Sequence, residues 1–225
     1  MPALFCLLAG GAAVSQAQAP PAPHSAPPKY VVLLDPAHGG SDSGATFKNG
    51  AQEKTLTLAF ALKLRSQLGS RGVQVILTHE NDSTQDPNQR AENANRAQAQ
   101  ACLSLHFTET GSGVHLFTSN LEQSPANHFL PWKTAQSGWV NRSLALTAQL
   151  NAAFQQAQLP VTLSRWALPG IDSMACPAVA VEIAPERVPG KAQLLSAVDD
   201  PKYQGRVADA IAAALLSWRG EAQKP

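Results

Sequence analysis

The chain has almost no net charge, few cysteines and, beyond its first residues, no long apolar run. Lysine and arginine total 17 against 16 aspartates and glutamates in 225 residues. That balance supplies no basic field for a phosphate backbone, so nucleic acid is not an expected partner. No His-Glu-x-x-His, no Gly-x-Ser-x-Gly and no Cys-x-x-Cys occurs, which removes three common catalytic signatures. The stretch Gly39-Gly-Ser-Asp-Ser-Gly44 is followed by no Gly-Lys-Ser/Thr and is not a phosphate loop. No internal repeat is present.

The N-terminus differs from the rest. Ala3 to Val14 is apolar but too short to span a bilayer as a stable helix. With Ala17-Gln18-Ala19 as an A-x-A site, residues 1–19 read as a secretory signal, although no Lys or Arg precedes the apolar run. Pro20 to Pro28 holds five prolines in nine residues and reads as an extended tether. A folded domain is expected over 29–220 with a short tail at 221–225, and no membrane span remains once the signal is removed. Of three cysteines, Cys6 would leave with the signal. Cys102 and Cys176 could pair outside the cytoplasm. Spacing does not say whether their α-carbons approach, and two buried free thiols is the plainer expectation.

Tyr30 to Leu34 is a short continuous apolar run ending at Asp35-Pro36, as expected for a strand buried on both faces of a parallel sheet. After a glycine-rich loop, Leu56, Phe60, Leu64 and Leu68 recur at helical spacing, and Gly69 to Gly72 ends that helix. Further strands are expected at Val73–Leu77, Ala101–Leu105, Gly113–Thr118 and Ala178–Val181. Further helices are expected at Gln89–Gln100, at Val140–Gln158 with Leu144, Ala148, Asn151 and Ala152 on its periodic face and Leu150 and Phe154 alongside, and at Pro201–Trp218. Asn120 to Ser137 lacks a period and reads as a long loop or lid. Strands alternating with helices predict a single α/β domain, a three-layer αβα sandwich around a mostly parallel sheet.

In such folds ligands bind beyond the carboxyl ends of the strands. His38 lies just past the first strand, His106 closes the third, and Glu182 closes the strand Ala178-Val-Ala-Val181. Glu53 opens the helix after the glycine loop. Two histidines and a carboxylate form a common catalytic zinc set that leaves one position for water. A second carboxylate, for which Glu182 is placed, can take the proton of that water and pass it to a leaving amine.

At these residues the sequence resembles the zinc-dependent N-acetylmuramoyl-L-alanine amidases, the cell-wall hydrolases of the amidase type 3 family. Leu33-Leu-Asp-Pro-Ala-His-Gly-Gly-Ser-Asp-Ser-Gly-Ala45 matches the family's Asp-Pro-Gly-His-Gly-Gly motif, with Ala37 at one glycine. Ser104-Leu-His106 matches its Ser-Ile-His, and Pro177-Ala-Val-Ala-Val-Glu182 its Pro-Ala-x-x-Val-Glu. Arg90 with Asn93-Ala-Asn-Arg-Ala97 resembles the segment before the second histidine. The resemblance implies Zn2+ on His38, Glu53 and His106, catalysis by Glu182, and a peptidoglycan substrate cleaved between N-acetylmuramic acid and L-alanine. It also implies an exported protein in the periplasm or at the wall. Leu77-Thr-His79, Phe107-Thr108 and Ile183-Ala-Pro-Glu186 depart from the family pattern near the site.

Two other functions stay open on the sequence: a catalytically silent peptidoglycan-binding or regulatory module on the same fold, and a metal-dependent peptidase acting on free peptide. Glu182 has an ordinary alternative as a strand-end carboxylate paired with Arg165 or Arg187, and Glu186 is a weaker rival for its catalytic role. Asp42 is expected to brace the glycine loop, Glu109 to face solvent with an approach to the site as its alternative, and His79, His115 and His128 to be surface or core residues, with substrate contact left open for His79 and His115. Phe129, Trp132 and Trp139 either line a sugar groove or pack a lid. Whether Asn120–Ser137 covers the site, and which activator protein would then open it, the sequence leaves open.

Overall fold

The computed structural model describes residues 30–125 and 129–222. The expected signal, the tether, His128 and residues 223–225 lie outside the described residues. Strand β1 (Val31–Pro36) is apolar because both its faces are covered: Leu33 packs on one side of the sheet and Val32 and Leu34 on the other. It lies between β2 (Gln74–Leu77) and β3 (Ala101–Phe107), parallel to both. Beyond β3 lies β6 (Ala178–Ile183), again parallel. Then the direction reverses. Strand β4 (Val114–Ser119) runs antiparallel to β6, and β5 (Val161–Trp166) runs parallel to β4 at the edge. The order of this six-stranded sheet is β2-β1-β3-β6-β4-β5.

One face carries a thick layer: α1 (Glu53–Gly69), α3 (Val140–Gln156) and α5 (Pro201–Ala222), packed through Phe60, Leu64, Leu150 and Ile211. The other carries α2 (Pro87–Ala97) and the single-turn α4 (Pro169–Asp172), held by Ala91, Ala94 and Ile171. A two-stranded ribbon, β7 (Glu186–Arg187) with β8 (Leu194–Ser196), lies apart from the main sheet. No helix among the described residues is long and apolar enough to cross a membrane.

Several elements depart from the sequence reading. Helix α2 begins two residues earlier than expected. Asp86 caps it by accepting from Asn88 N and Gln89 N, the Gln89 side chain returns the bond, and Pro87 fills the first turn. Helix α3 buries Leu150 and Phe154 as read, but with Ser143, Leu146 and Thr147 in place of the expected Leu144, which is exposed. So many alanines share its turns that the apolar pattern alone did not select the buried face. Strand β5 was not expected because an exposed edge strand needs no apolar alternation.

The Asn120–Ser137 segment is not a lid in its described part. Its C-terminal portion forms a 3₁₀ turn, Trp132–Gly138, in which buried Gln136 donates from Nε2 to the carbonyls of Met174 (2.8 Å) and Cys176 (3.0 Å). That anchor lies before β6, at the edge of the sheet away from Glu182.

Cys102 and Cys176 are joined in a disulfide, in place of the two free thiols expected. Tertiary pairing brings them together: Cys102 lies opposite Ala178 in the β3–β6 register, and the two α-carbons are 6.3 Å apart. The bond closes a separation of 74 residues, so replacing both cysteines by serine should cost about 2–4 kcal/mol of unfolding free energy. Chemical denaturation with and without reductant checks this, since reductant should destabilise the native protein and leave the double variant unchanged.

Candidate functional site

The site begins where β1 stops. Ala37 donates its N–H to Leu105 O (3.0 Å), and Thr57 Oγ1 donates to Ala37 O (2.8 Å). Ala37 is not among the residues with positive φ, so the glycine usual in the family motif is not needed here. His38 is the residue that turns, with φ +65, a conformation costly for a side-chain-bearing residue. Its neighbours hold it there. Arg90 donates to the carbonyls of Pro36 and His38 at 2.6 Å each, and to Asp35 Oδ1 at 2.6 Å. Asp35 also accepts from Thr78 Oγ1 (2.7 Å) and Ser104 Oγ (3.1 Å). Asp82 tethers the loop's far side, accepting from Gly40 N (2.6 Å) and Lys54 Nζ (2.8 Å).

Asp42 braces the loop by accepting from Gly44 N through Oδ1 (3.0 Å). Its Oδ2 lies 2.8 Å from His38 Nδ1. An ionised carboxylate only accepts, so His38 keeps a proton on Nδ1 toward Asp42, and Nε2, turned inward, is the nitrogen that becomes free for a metal once its own proton is lost. That Nε2 lies 3.1 Å from Glu53 Oε2, and Glu53 Oε1 lies 3.2 Å from His106 Nδ1. Backbone donors from Ala45 (3.1 Å) and Phe107 (3.2 Å) fix the Glu53 carboxylate. Ligand atoms of His38, Glu53 and His106 all fall within 4.8 Å of one another. A tetrahedral ion with bonds of about 2.0–2.1 Å sets its ligand atoms about 3.3 Å apart, so the three fit a shared cation. Gly44 completes the cradle: a β-carbon there would lie 2.5 Å from His38 Cδ2 and 2.8 Å from Glu53 Oε2.

Burial raises the Glu53 pKa, but hydrogen bonds from His106, His38 and the Ala45 amide outweigh it and hold the carboxyl well below the usual carboxylate range. The Glu53 contact, opposed by burial and aided by Asp42, raises His38 to about 9. A metal binds only the neutral imidazole, so uptake at pH 7 must expel that proton. Apparent zinc affinity should rise roughly tenfold per pH unit up to about 9. Calorimetric titration in buffers of different ionisation enthalpy reads the released proton; affinity that does not change between pH 6 and 8 would contradict it.

Glu182 stands beside this centre. In the β3–β6 register it is the partner of His106, and residues opposite each other on neighbouring strands face the same side. Two cavities meet there. One of about 310 Å³ is lined by His38, Arg90, Ser104 and Pro169, the other, of about 400 Å³, by Phe117, Trp166 and Glu182, and both include His106, Leu168 and Ala180. Trp166, 65% exposed, is the exposed aromatic lining the second cavity, beside Phe117. Sequence reasoning missed it because β5 itself was missed. The aromatics it proposed lie elsewhere: Phe129 and Trp132 are exposed and line neither cavity, and Trp139 faces Gln98, Gln100 and Pro177 at the opposite edge.

Neither arginine considered for Glu182 reaches it. Arg165 donates to the carbonyls of Ser119 and Leu121, and Arg187 to those of Gly111, Ala192 and Glu109. Its partner is His115, whose Nδ1 lies 2.9 Å from Glu182 Oε2. Glu186 is bound by Arg206 and Ser196 and turns away from the cleft. Glu109 accepts from Lys48 N, and His79 is buried against Thr78 beneath the glycine loop. Burial, reinforced by nearby Arg90, lowers the His79 pKa.

A family model described as N-acetylmuramoyl-L-alanine amidase matches residues 32–217. The chain is similar to a sporulation-specific N-acetylmuramoyl-L-alanine amidase of Bacillus subtilis, 45% identical over 82 residues that cover 36% of this chain and 32% of that protein. It is also similar to a germination-specific amidase of the same organism, 27% identical over 214 residues covering 87% and 82% of the two chains. Among solved structures, the catalytic domain of CwlV from Paenibacillus polymyxa superposes with TM-score 0.63 and 26% identity, over 84% of this chain and 98% of that one. With the first curated relatives the match spans about a third of their length or less, 32% and 27%.

Proposed function

Because this chain belongs to the N-acetylmuramoyl-L-alanine amidase family, we propose that it is a zinc-dependent hydrolase of the amide joining N-acetylmuramic acid to L-alanine in peptidoglycan. The convergence of His38, Glu53 and His106, with Glu182 on the adjacent strand, carries this reading. Those three residues would hold Zn2+, which when bound polarises a carbonyl and lowers the pKa of a water from about 15.7 toward about 7. Glu182 takes a proton from the attacking water as its oxygen bonds to the lactyl carbonyl carbon. As the carbon–nitrogen bond breaks, Glu182 returns the proton to the alanine nitrogen, leaving a carboxylic acid and a free amine. Arg90 and Asp42 keep His38 in place. The open cleft between the His38 loop and the Trp166–Ile171 segment would admit a substrate that projects from a polymer.

Residues 1–19 and 20–28 support export followed by a tether, and the buried disulfide suits an oxidising compartment. The reading is tested by digesting purified sacculi and weighing the products. Peptides with a free L-alanine amine and intact, peptide-free glycan are expected. Zinc binding without released peptide would instead identify a silent wall-binding module, and equal turnover of sugar-free peptides would identify a peptidase.

A further inference from the structure

We propose that His115 is a positioning residue for catalysis, holding the Glu182 carboxylate in its working orientation; this rests on the reading of Glu182 as general base. The two residues are 67 apart in sequence and directly opposite in the antiparallel β4–β6 register. With His106 on the far side of Glu182, three strands present a lateral row: His106, Glu182, His115. His115 Nδ1 lies 2.9 Å from Glu182 Oε2, and since the carboxylate accepts, the imidazole donates. Among the described residues no hydrogen bond reaches Glu182 Oε1. One oxygen is thus pinned and the other is free for water.

The imidazole is itself held. It meets Phe117 edge-on, with ring centroids 6.5 Å apart, and it is 15% exposed against 31% for Glu182. Gly111, at φ +78, closes over its outer edge so tightly that a β-carbon would lie 2.4 Å from Cε1. A ring fixed on three sides has one use for its inward donor, which is to orient the acid beside it. Without it the Glu182 side chain, on an open cleft, would sample several rotamers, and misplacement by about 1 Å costs catalysis about 10²-fold.

The experiment compares His115→Phe, which keeps a ring of similar bulk and removes the donor, with His115→Asn, whose amide nitrogen falls where Nδ1 was. Peptide release from sacculi, bound zinc and melting temperature are measured for each. The expected result is a kcat about 10- to 100-fold lower for His115→Phe, with KM within about twofold, full zinc occupancy, and recovery of most of the loss in His115→Asn. In a Glu182→Gln background, His115→Phe should cost nothing further. A wild-type kcat in His115→Phe, equal losses in both variants, or a loss confined to zinc content or melting temperature would overturn the proposal and leave the amidase reading standing. If the native protein itself releases no stem peptide from sacculi, the amidase reading falls first and this proposal with it.

Discussion

Glu182→Gln should bind one equivalent of zinc and hydrolyse peptidoglycan about 10²- to 10⁴-fold more slowly than the native chain. The amide keeps the size of the side chain and can still accept from His115, so the cleft should hold its shape. On the proposed reading, what disappears is the basic oxygen that would collect a proton from water and the acid that would return it to the departing amine. Because Glu182 is outside the His38, Glu53 and His106 cluster, zinc content measured on the same preparation should match the native protein. Near-native peptide release from a zinc-loaded variant would move the base elsewhere. Two other acids are already engaged: Glu186 is bound to Arg206, and Asp42 is held by His38 and Gly44.

Arg90→Met carries the largest expected effect on stability. Arg90 is a buried cation that binds the Asp35 carboxylate and two carbonyls of the strand-to-loop turn. Removing it leaves Asp35 charged and buried with only the hydroxyls of Thr78 and Ser104 for company. Breaking a buried pair from one side costs about 3–5 kcal/mol. Urea denaturation of metal-free protein should show that loss. Adding Asp35→Asn should recover part of it, because the orphaned charge goes with the carboxyl. The turn that places His38 at φ +65 loses its clamp as well, so zinc affinity should fall even where the variant is folded. A change below about 1 kcal/mol would mean that water replaces the guanidinium at no cost, contrary to the burial seen here.

Much of this was legible in the chain. Tyr30 to Leu34 reads as a doubly covered strand, and the spacing of Leu56, Phe60, Leu64 and Leu68 as a helix with a buried stripe, and both form. His38, Glu53, His106 and Glu182 each adjoin the end of a strand or the start of a helix, where parallel α/β sheets gather side chains, so their grouping followed from element order. Arg90 was noticed only by its resemblance to a family segment. Its role was not readable, because a guanidinium reaching across 55 residues to Asp35 leaves no local pattern.

His115 shows the boundary most clearly. Had β4 run parallel to β6, a histidine at its second position would lie near the beginning of β6, far from Glu182. Reversal of that one strand brings it level with Glu182. The apolar alternation of β4 is the same for either direction, so periodicity carries no information about it. Cys102 with Cys176, Trp166 on an edge strand and the anchoring of Gln136 beside Met174 share that character. By itself the sequence determined most of the buried strands and the long helices, since burial periodicity and turn chemistry are local, whereas the exposed strand β5 and the short α4 carry no such period. The direction of β4, the disulfide, the clamp on His38 and the partner of Glu182 were decided only in the tertiary structure, because each depends on which strand lies beside which, and pairing energy between distant segments is written in neither segment alone.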